Sequence, residues 1–350
     1  MKEGKYIVKG KIYSVDSALI PIQNPYILIA RHIDDYPEGN GQMAPAIFPE
    51  NWQRGNDFTS GRGWNMYHGD DVPGFPAHPH RGFETITYAK KGFIDHFDSH
   101  GNHGRYGNGD VQWMISGKGL QHAEMFPLLE TKEKNPFEIV QIWLNLPSYK
   151  KMVPPSYKLR WHEDTPIVPL ANKNEDKNFL KILAGHYYDV YAERPEEHSY
   201  GFEEENHINI WDGKLEKGET ISIPSFPEDV KVQFYVGEGK FKTDETFIER
   251  NSLLIYTSDR EVTFTAEEDA EFMVFIGKEI DEEVYAYGPF VMNTREEILQ
   301  AYEDFQKDQF GGWPWETDAP TIPPEKGRFS VYDKGTKTKY PPEEKQTFNT

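Results

Sequence analysis

His78-Pro79-His80-Arg81-Gly82-Phe83-Glu84-Thr85-Ile86-Thr87-Tyr88 opens the stretch from which the fold is read. From Phe83 onward polar and apolar residues alternate, the period of a half-buried strand. The same rhythm returns in Val111-Gln112-Trp113-Met114-Ile115 and in the longer run Glu138–Leu146, EIVQIWLNL. Turn clusters at Lys91-Gly92, Ser99–Gly104 and Gly107–Asp110 separate these runs, and Pro147 with Pro154-Pro155 closes the segment. A second strand-rich block follows between 178 and 287, with Lys231–Val236, Ser252–Tyr256, Val262–Phe264 and Phe272–Ile276 as its clearest members. Two blocks of similar length and style predict two related β-domains, although no clean repeat links them.

Composition agrees. The chain has 350 residues, enough for two domains at about 100–200 residues each. Its 20 Tyr and 22 Phe favour strands, and its 29 Gly and 25 Pro supply the turns, which predicts an all-β protein. Only 37% of the residues are hydrophobic, but 14% are aromatic, and each ring buries a large area. With 58 acidic against 38 basic side chains the formal charge is −20, which repels a polyphosphate. No basic patch offsets that charge, so nucleic acid is excluded as a partner. Without cysteine there is no disulfide, thiolate metal site or thiol nucleophile. The apolar runs fall short of the about 18 residues of a membrane span. The opening MKEGKYIVKGKIYSV lacks the continuous apolar core of a secretory signal, so a soluble cytoplasmic protein is expected.

One helix is predicted. Thr294-Arg-Glu-Glu297 has the form of a capping box, and Ile298, Ala301, Tyr302 and Phe305 make one apolar stripe before Gly311-Gly312. The stripe is expected to pack on its own β-domain. Ile33–Gly63 reads as a surface excursion. Residues 313–350 read as a tail that Trp313 and Trp315 pin at its start, with disorder or loose wrapping beyond.

The chemistry sits in two pairs. Residues i and i+2 of a strand share a face, so His78 projects with His80, and His122 with Glu124. A single His-x-His pair is commonly surface polarity. Two pairs in the same register, each beside a strand-like run, predict three imidazoles and one carboxylate meeting at a metal. Such donors suit Fe, Mn, Ni, Cu or Zn, and four ligands around an octahedral ion leave two positions open. Glu84 lies at an even separation from His80 and is assigned a neighbouring role, orienting an imidazole. His100 and His103 read as loop residues, as does His96, which can approach the site; His68 is a candidate hydrogen-bonding residue at its entrance.

HPHRGFETITY, DSHGNHG, GDVQWMISGKGLQHAEM and AYGPFVMNTREEI together resemble the pirin family of the cupin superfamily. The resemblance is strong over 74–146 and returns at 286–311; the first sixty and last forty residues lie largely outside it. It implies a bicupin, two jelly-roll (double-stranded β-helix) barrels in tandem with a C-terminal helix and extended tail. The implied parts are a metal-binding N-terminal cupin with its extension (1–165), a C-terminal cupin without metal ligands (166–293), a helix packing on the barrels (294–312) and the tail (313–350). The family's three histidines and glutamate map onto His78, His80, His122 and Glu124. His207 stands alone in the second barrel and is expected to be an ordinary strand residue. Phe126 stands where the general cupin pattern has asparagine, and the proline usual before Lys118-Gly119 is missing; both departures agree with the pirin variant.

The resemblance further implies a quercetin 2,3-dioxygenase loaded with Fe(2+). A flavonol would bind through its 3-hydroxyl, Glu124 would take the proton, and attack by O2 would open the ring and release carbon monoxide. Trp113, Met125 and Phe126 are candidates for pocket lining, with barrel core as their other reading. The alternative is a non-catalytic pirin, a metal-dependent regulatory module with a protein partner; an isomerase or hydrolase would use the same ligands. The expected partners are a small aromatic substrate and O2, and no membrane. The sequence carries no signal for oligomeric state.

Overall fold

Strand alternation becomes largely antiparallel sheet. The computed structural model describes residues 10–342 except 51, 54, 56, 60 and 245, so the expectation drawn from MKEGKYIVK, like the last eight residues of the tail, lies outside the described residues. The chain forms two compact units, each gathering segments distant in sequence. One holds residues 31–141, 148–164 and the described residues from 282 on; the other holds the described residues up to 30, with 142–147 and 165–281.

The first unit contains the His-x-His segment. One of its sheets runs in the order Gly74–His80, Leu120–Met125, Phe93–Asp98, His103–Gly107, Phe329–Tyr332, Lys337–Lys339. A second sheet has the neighbours Ser156–Arg160, Asp110–Ile115, Phe83–Lys91 and Asn135–Asn145. Their inner faces meet in a core of Ile94 and Tyr106 from the one and Ala89, Phe137, Ile139, Tyr157 and Leu159 from the other. This is the double-sheet solution by which jelly rolls bury one face of each strand.

The second unit repeats the plan. A seven-stranded sheet runs Gly10–Ser14, Ser252–Tyr256, Val230–Glu238, Ala270–Lys278, Asn209–Leu215, Phe179–Ala184, Ile167–Pro169, accompanied by a four-stranded one. The ring of Phe234 stacks on Phe264 at 4.3 Å and on Phe272 at 5.2 Å within an apolar core. His207 is not a strand residue; it ends a short 3-10 turn, Glu204–Asn206, in a left-handed conformation (φ 49).

The helix Arg295–Asp308 forms with its capping box complete: the Thr294 hydroxyl accepts from the Glu297 amide at 3.2 Å, and Glu297 Oε2 accepts from the Thr294 amide at 2.9 Å. Ile298 and Ala301 are buried against Phe290 and Met292 in the first unit. Thr294→Ala should therefore lower stability by about 1 kcal/mol in urea unfolding, with no change in metal content. An unchanged midpoint would mean that packing alone holds the helix. No helix among the described residues is long and apolar enough to cross a membrane.

The tail is more ordered than its composition predicts. Trp315 donates to the Asp98 carbonyl at 2.8 Å, whereas Trp313 bonds within the tail, to Thr317 O at 2.7 Å. Further on, the fully buried Arg105 pairs with Asp95 and also donates to the carbonyls of Ile322 (2.6 Å) and Lys326 (2.8 Å). The Ile322 amide in turn donates to Asp95 Oδ2 at 2.8 Å. A buried ion pair is tolerable only when its remaining donors and acceptors are met, and the tail backbone meets them. Phe329–Tyr332 then pairs antiparallel with His103–Gly107.

Candidate metal centre

The strand Gly74–His80 pairs with Leu120–Met125 so that His78 faces His122 and Phe75 faces Glu124. Two residues, Pro76 and Ala77, oppose one between those pairs, which makes a β-bulge. The extra residue lets Phe75 and His78, three apart, look to the same side. Bulging also takes the Ala77 amide out of the ladder, and Asp318 O in the tail accepts it at 2.7 Å.

His78, His80 and His122 converge. Their ring centroids are separated by 4.4 Å (78 to 122) and 4.9 Å (78 to 80, and 80 to 122), and one nitrogen from each lies within 4.8 Å of the others. His80 and His122 are buried, while His78 is partly open. The Nδ1 atoms of His78 and His80 lie 2.8 Å from Pro76 O and 3.3 Å from Pro289 O. A carbonyl on Nδ1 selects the tautomer whose lone pair is on Nε2. Neither ring nitrogen of His122 has a hydrogen-bond partner. Glu124 stands beside the triplet rather than within it, 3.8 Å from His122 Nε2. Its Oε2 accepts from Gln141 Nε2 at 2.8 Å and its Oε1 from the Thr87 hydroxyl at 3.3 Å.

Burial decides the charge state. It lowers His78 to about 4 and, helped by the neighbouring imidazoles, holds His80 and His122 well below the ordinary value. Burial raises Glu124. Three neutral imidazoles beside a carboxylate, one of them with two unsatisfied buried nitrogens, fit a divalent transition ion. The same shifts set an acid limit. An imidazole of ordinary value, 6.5, takes up a proton in the unfolded chain at a pH where the folded His78 and His32, both about 4, do not. Stability of the metal-free protein should thus be fully present above pH 6.5 and decline as the pH falls toward 4. Urea midpoints at pH 7 and pH 5 check this; equal midpoints would contradict it.

The other predicted residues are spread around this centre. Glu84 is buried and accepts from the Trp113 indole at 2.6 Å, so both belong to the sheet opposite the histidines. Met125 points away from Glu124 and packs with Met43 and Val72. Phe126 lies in the aromatic core, 5.9 Å from Phe75 and 4.4 Å from Phe137. His96 is fully buried, pairs in register with Glu124, stacks on Tyr157 at 4.8 Å and has no hydrogen-bond partner for either ring nitrogen. His103 stacks on Phe97 at 5.6 Å, away from the triplet. Gln141 is a polar residue inside the apolar run EIVQIWLNL, which is a readable signal, whereas Thr87 falls at an ordinary polar position of its alternating strand and carries none. A cavity of about 520 Å³ opens at His78, bordered by His68 and Phe75.

Two such barrels, with a histidine triplet in one and, among the described residues, none in the other, define a bicupin. Residues 49–144 match the pirin family and residues 210–311 the pirin C-terminal cupin domain; the chain belongs to the pirin family. It is 36% identical over 247 residues to a pirin-like protein of Solanum lycopersicum, covering 68% of this chain and 77% of that one. A Pseudomonas aeruginosa protein provisionally named a quercetin 2,3-dioxygenase is 35% identical over 238 residues, with coverage of 68% and 79%. The crystal structure of a quercetin 2,3-dioxygenase from Acinetobacter baumannii superposes with a TM-score of 0.68 at 28% identity, covering 86% of this chain and 97% of that one.

Proposed function

We propose that this protein is a metal-dependent dioxygenase that opens a flavonol such as quercetin with O2 and releases carbon monoxide, working in the cytoplasm. The observation that supports it most is the group of three neutral imidazoles next to a carboxylate, two of the rings buried and the third, His78, facing an open cavity. The names of the relatives point the same way. His78, His80, His122 and Glu124 would hold one divalent ion, Fe(2+) first, with Mn, Ni, Cu or Zn served by the same donors. Bound there, the ion supplies Lewis acidity toward the flavonol 3-hydroxyl and a place for dioxygen.

The chain's own residues do the rest. A carboxylate oxygen of Glu124 accepts the 3-hydroxyl proton, and Gln141 and Thr87 hold that carboxylate in place. Phe75, turned inward by the bulge, flanks the approach to His78.

Elemental analysis of the purified protein, paired with oxygen uptake and carbon monoxide release on quercetin in air, tests this. Equal amounts of oxygen consumed and carbon monoxide released are expected. A metal-loaded protein that consumes no oxygen with flavonols would overturn the catalytic reading and leave the regulatory one.

A further inference from the structure

The outer part of the cavity at His78 is built from side chains that the metal centre does not use. Rings run outward from it: Phe75 lies 6.3 Å from His78, His68 lies 5.6 Å from Phe75, and Phe58 lies 5.3 Å from His68, centroid to centroid. The two outermost are open to solvent. Phe58 is 41% exposed, and His68 is exposed with no hydrogen bond from its ring among the described residues. His68 and Phe75 line the 520 Å³ cavity, and Phe58 packs on both rings just outside that lining; a partly open aromatic beside an unused polar group at a cavity mouth is the composition of a small-molecule site.

The backbone beneath is held stiff. Tyr67 adopts a left-handed conformation (φ 57), which a bulky residue keeps only when its surroundings impose it. Here its hydroxyl donates to Asp34 Oδ2 at 2.7 Å, the Asn65 amide donates to Asp34 Oδ1 at 2.8 Å, and the Met66 amide donates to Asp57 Oδ2 at 2.7 Å. That turn buries Tyr67 and sends the next side chain, His68, to the rim. The backbone that carries His68 is thus preorganised rather than loosely draped.

We propose that Phe58 and His68 are the specificity-determining pair of this mouth. The phenyl ring packs on a flat hydroxylated aromatic ring, and the imidazole hydrogen-bonds one of that ring's hydroxyls while Phe75 guides the inner part of the molecule to His78. This rests on the reading of the centre as one for an aromatic substrate. A flavonol has the required shape, with hydroxyls at both ends and a planar body between.

The test uses full-length, metal-loaded protein without oxygen, titrated by fluorescence quenching with quercetin and with 3-hydroxyflavone, which keeps the 3-hydroxyl and lacks the others. Phe58→Ala should weaken both probes about tenfold. His68→Ala should weaken quercetin about tenfold, leave 3-hydroxyflavone within about twofold, and be largely restored by His68→Gln. His68 is exposed, and circular dichroism should show unchanged melting for its variants, whereas Phe58→Ala, which loses ring contacts with Tyr67 and Phe75, should stay folded and melt a few degrees lower. Wild-type affinities in both variants would overturn the proposal, as would a wild type that binds neither probe. If the probes bind and the variants respond as stated but oxygen is not consumed in air, the dioxygenase reading falls and the mouth stands.

Discussion

A His122→Leu variant should purify without a transition ion and, compared with metal-free wild type, should unfold at an equal or higher urea concentration. Both nitrogens of the His122 ring are buried and unsatisfied, and each such group costs about 1–3 kcal/mol. Burial also forbids the ring its proton, so acid works against it. An apolar side chain removes both costs. Metal reverses the ranking: an ion at a hundred times its Kd stabilises the wild type by about 2.7 kcal/mol and the variant not at all. Calorimetry or urea unfolding of both proteins, with and without added ion, reads the four stabilities. A metal-free variant several kcal/mol below metal-free wild type would show that His122 is satisfied without an ion.

The same residue shows what could be read beforehand. Strand parity pairs His78 with His80 and His122 with Glu124, and the register sets His78 directly opposite His122 while Glu124 falls opposite Phe75. Parity holds only within one uninterrupted strand, however. Gly82 has φ 88 and turns the chain from one sheet to the other, so the even count from His80 to Glu84 carries the carboxylate to Trp113. The bulge at Pro76-Ala77 has the opposite effect: an odd count brings Phe75 to the side of His78. Neither turn nor bulge leaves a hydrophobic period to detect.

The tail was illegible for another reason. Its order comes from backbone carbonyls bonded to Arg105, more than two hundred residues away in sequence, and from pairing with His103–Gly107. Backbone groups carry no residue signature. The strand Gly10–Ser14 is similar: it pairs with Ser252–Tyr256, a partner no local pattern could name. The helix was legible because its cap, its stripe and its burial are all local.

Glu124→Gln should leave the fold and the imidazole triplet in place while lowering turnover about 10²–10⁴-fold, the range expected when a positioned general base is lost. The substitution is nearly isosteric, and its hydrogen bonds can be kept. The new carbonyl accepts from Gln141 where Oε2 did, and the new amide donates to the Thr87 hydroxyl, which accepts as readily as it donates. Desolvation of a charge is relieved as well, since burial already raises Glu124. Little stability should therefore be lost, and the melting temperature should stay within a few degrees of wild type. Metal content is measured with excess ion, so that weaker retention is not mistaken for a chemical effect. Full turnover in this variant would remove the carboxylate from proton transfer. Loss of turnover together with loss of the ion at saturation would make it a ligand first and a base second. Loss of turnover with the ion retained would mean that the three imidazoles suffice to bind and that the carboxylate is needed for the proton on the flavonol 3-hydroxyl.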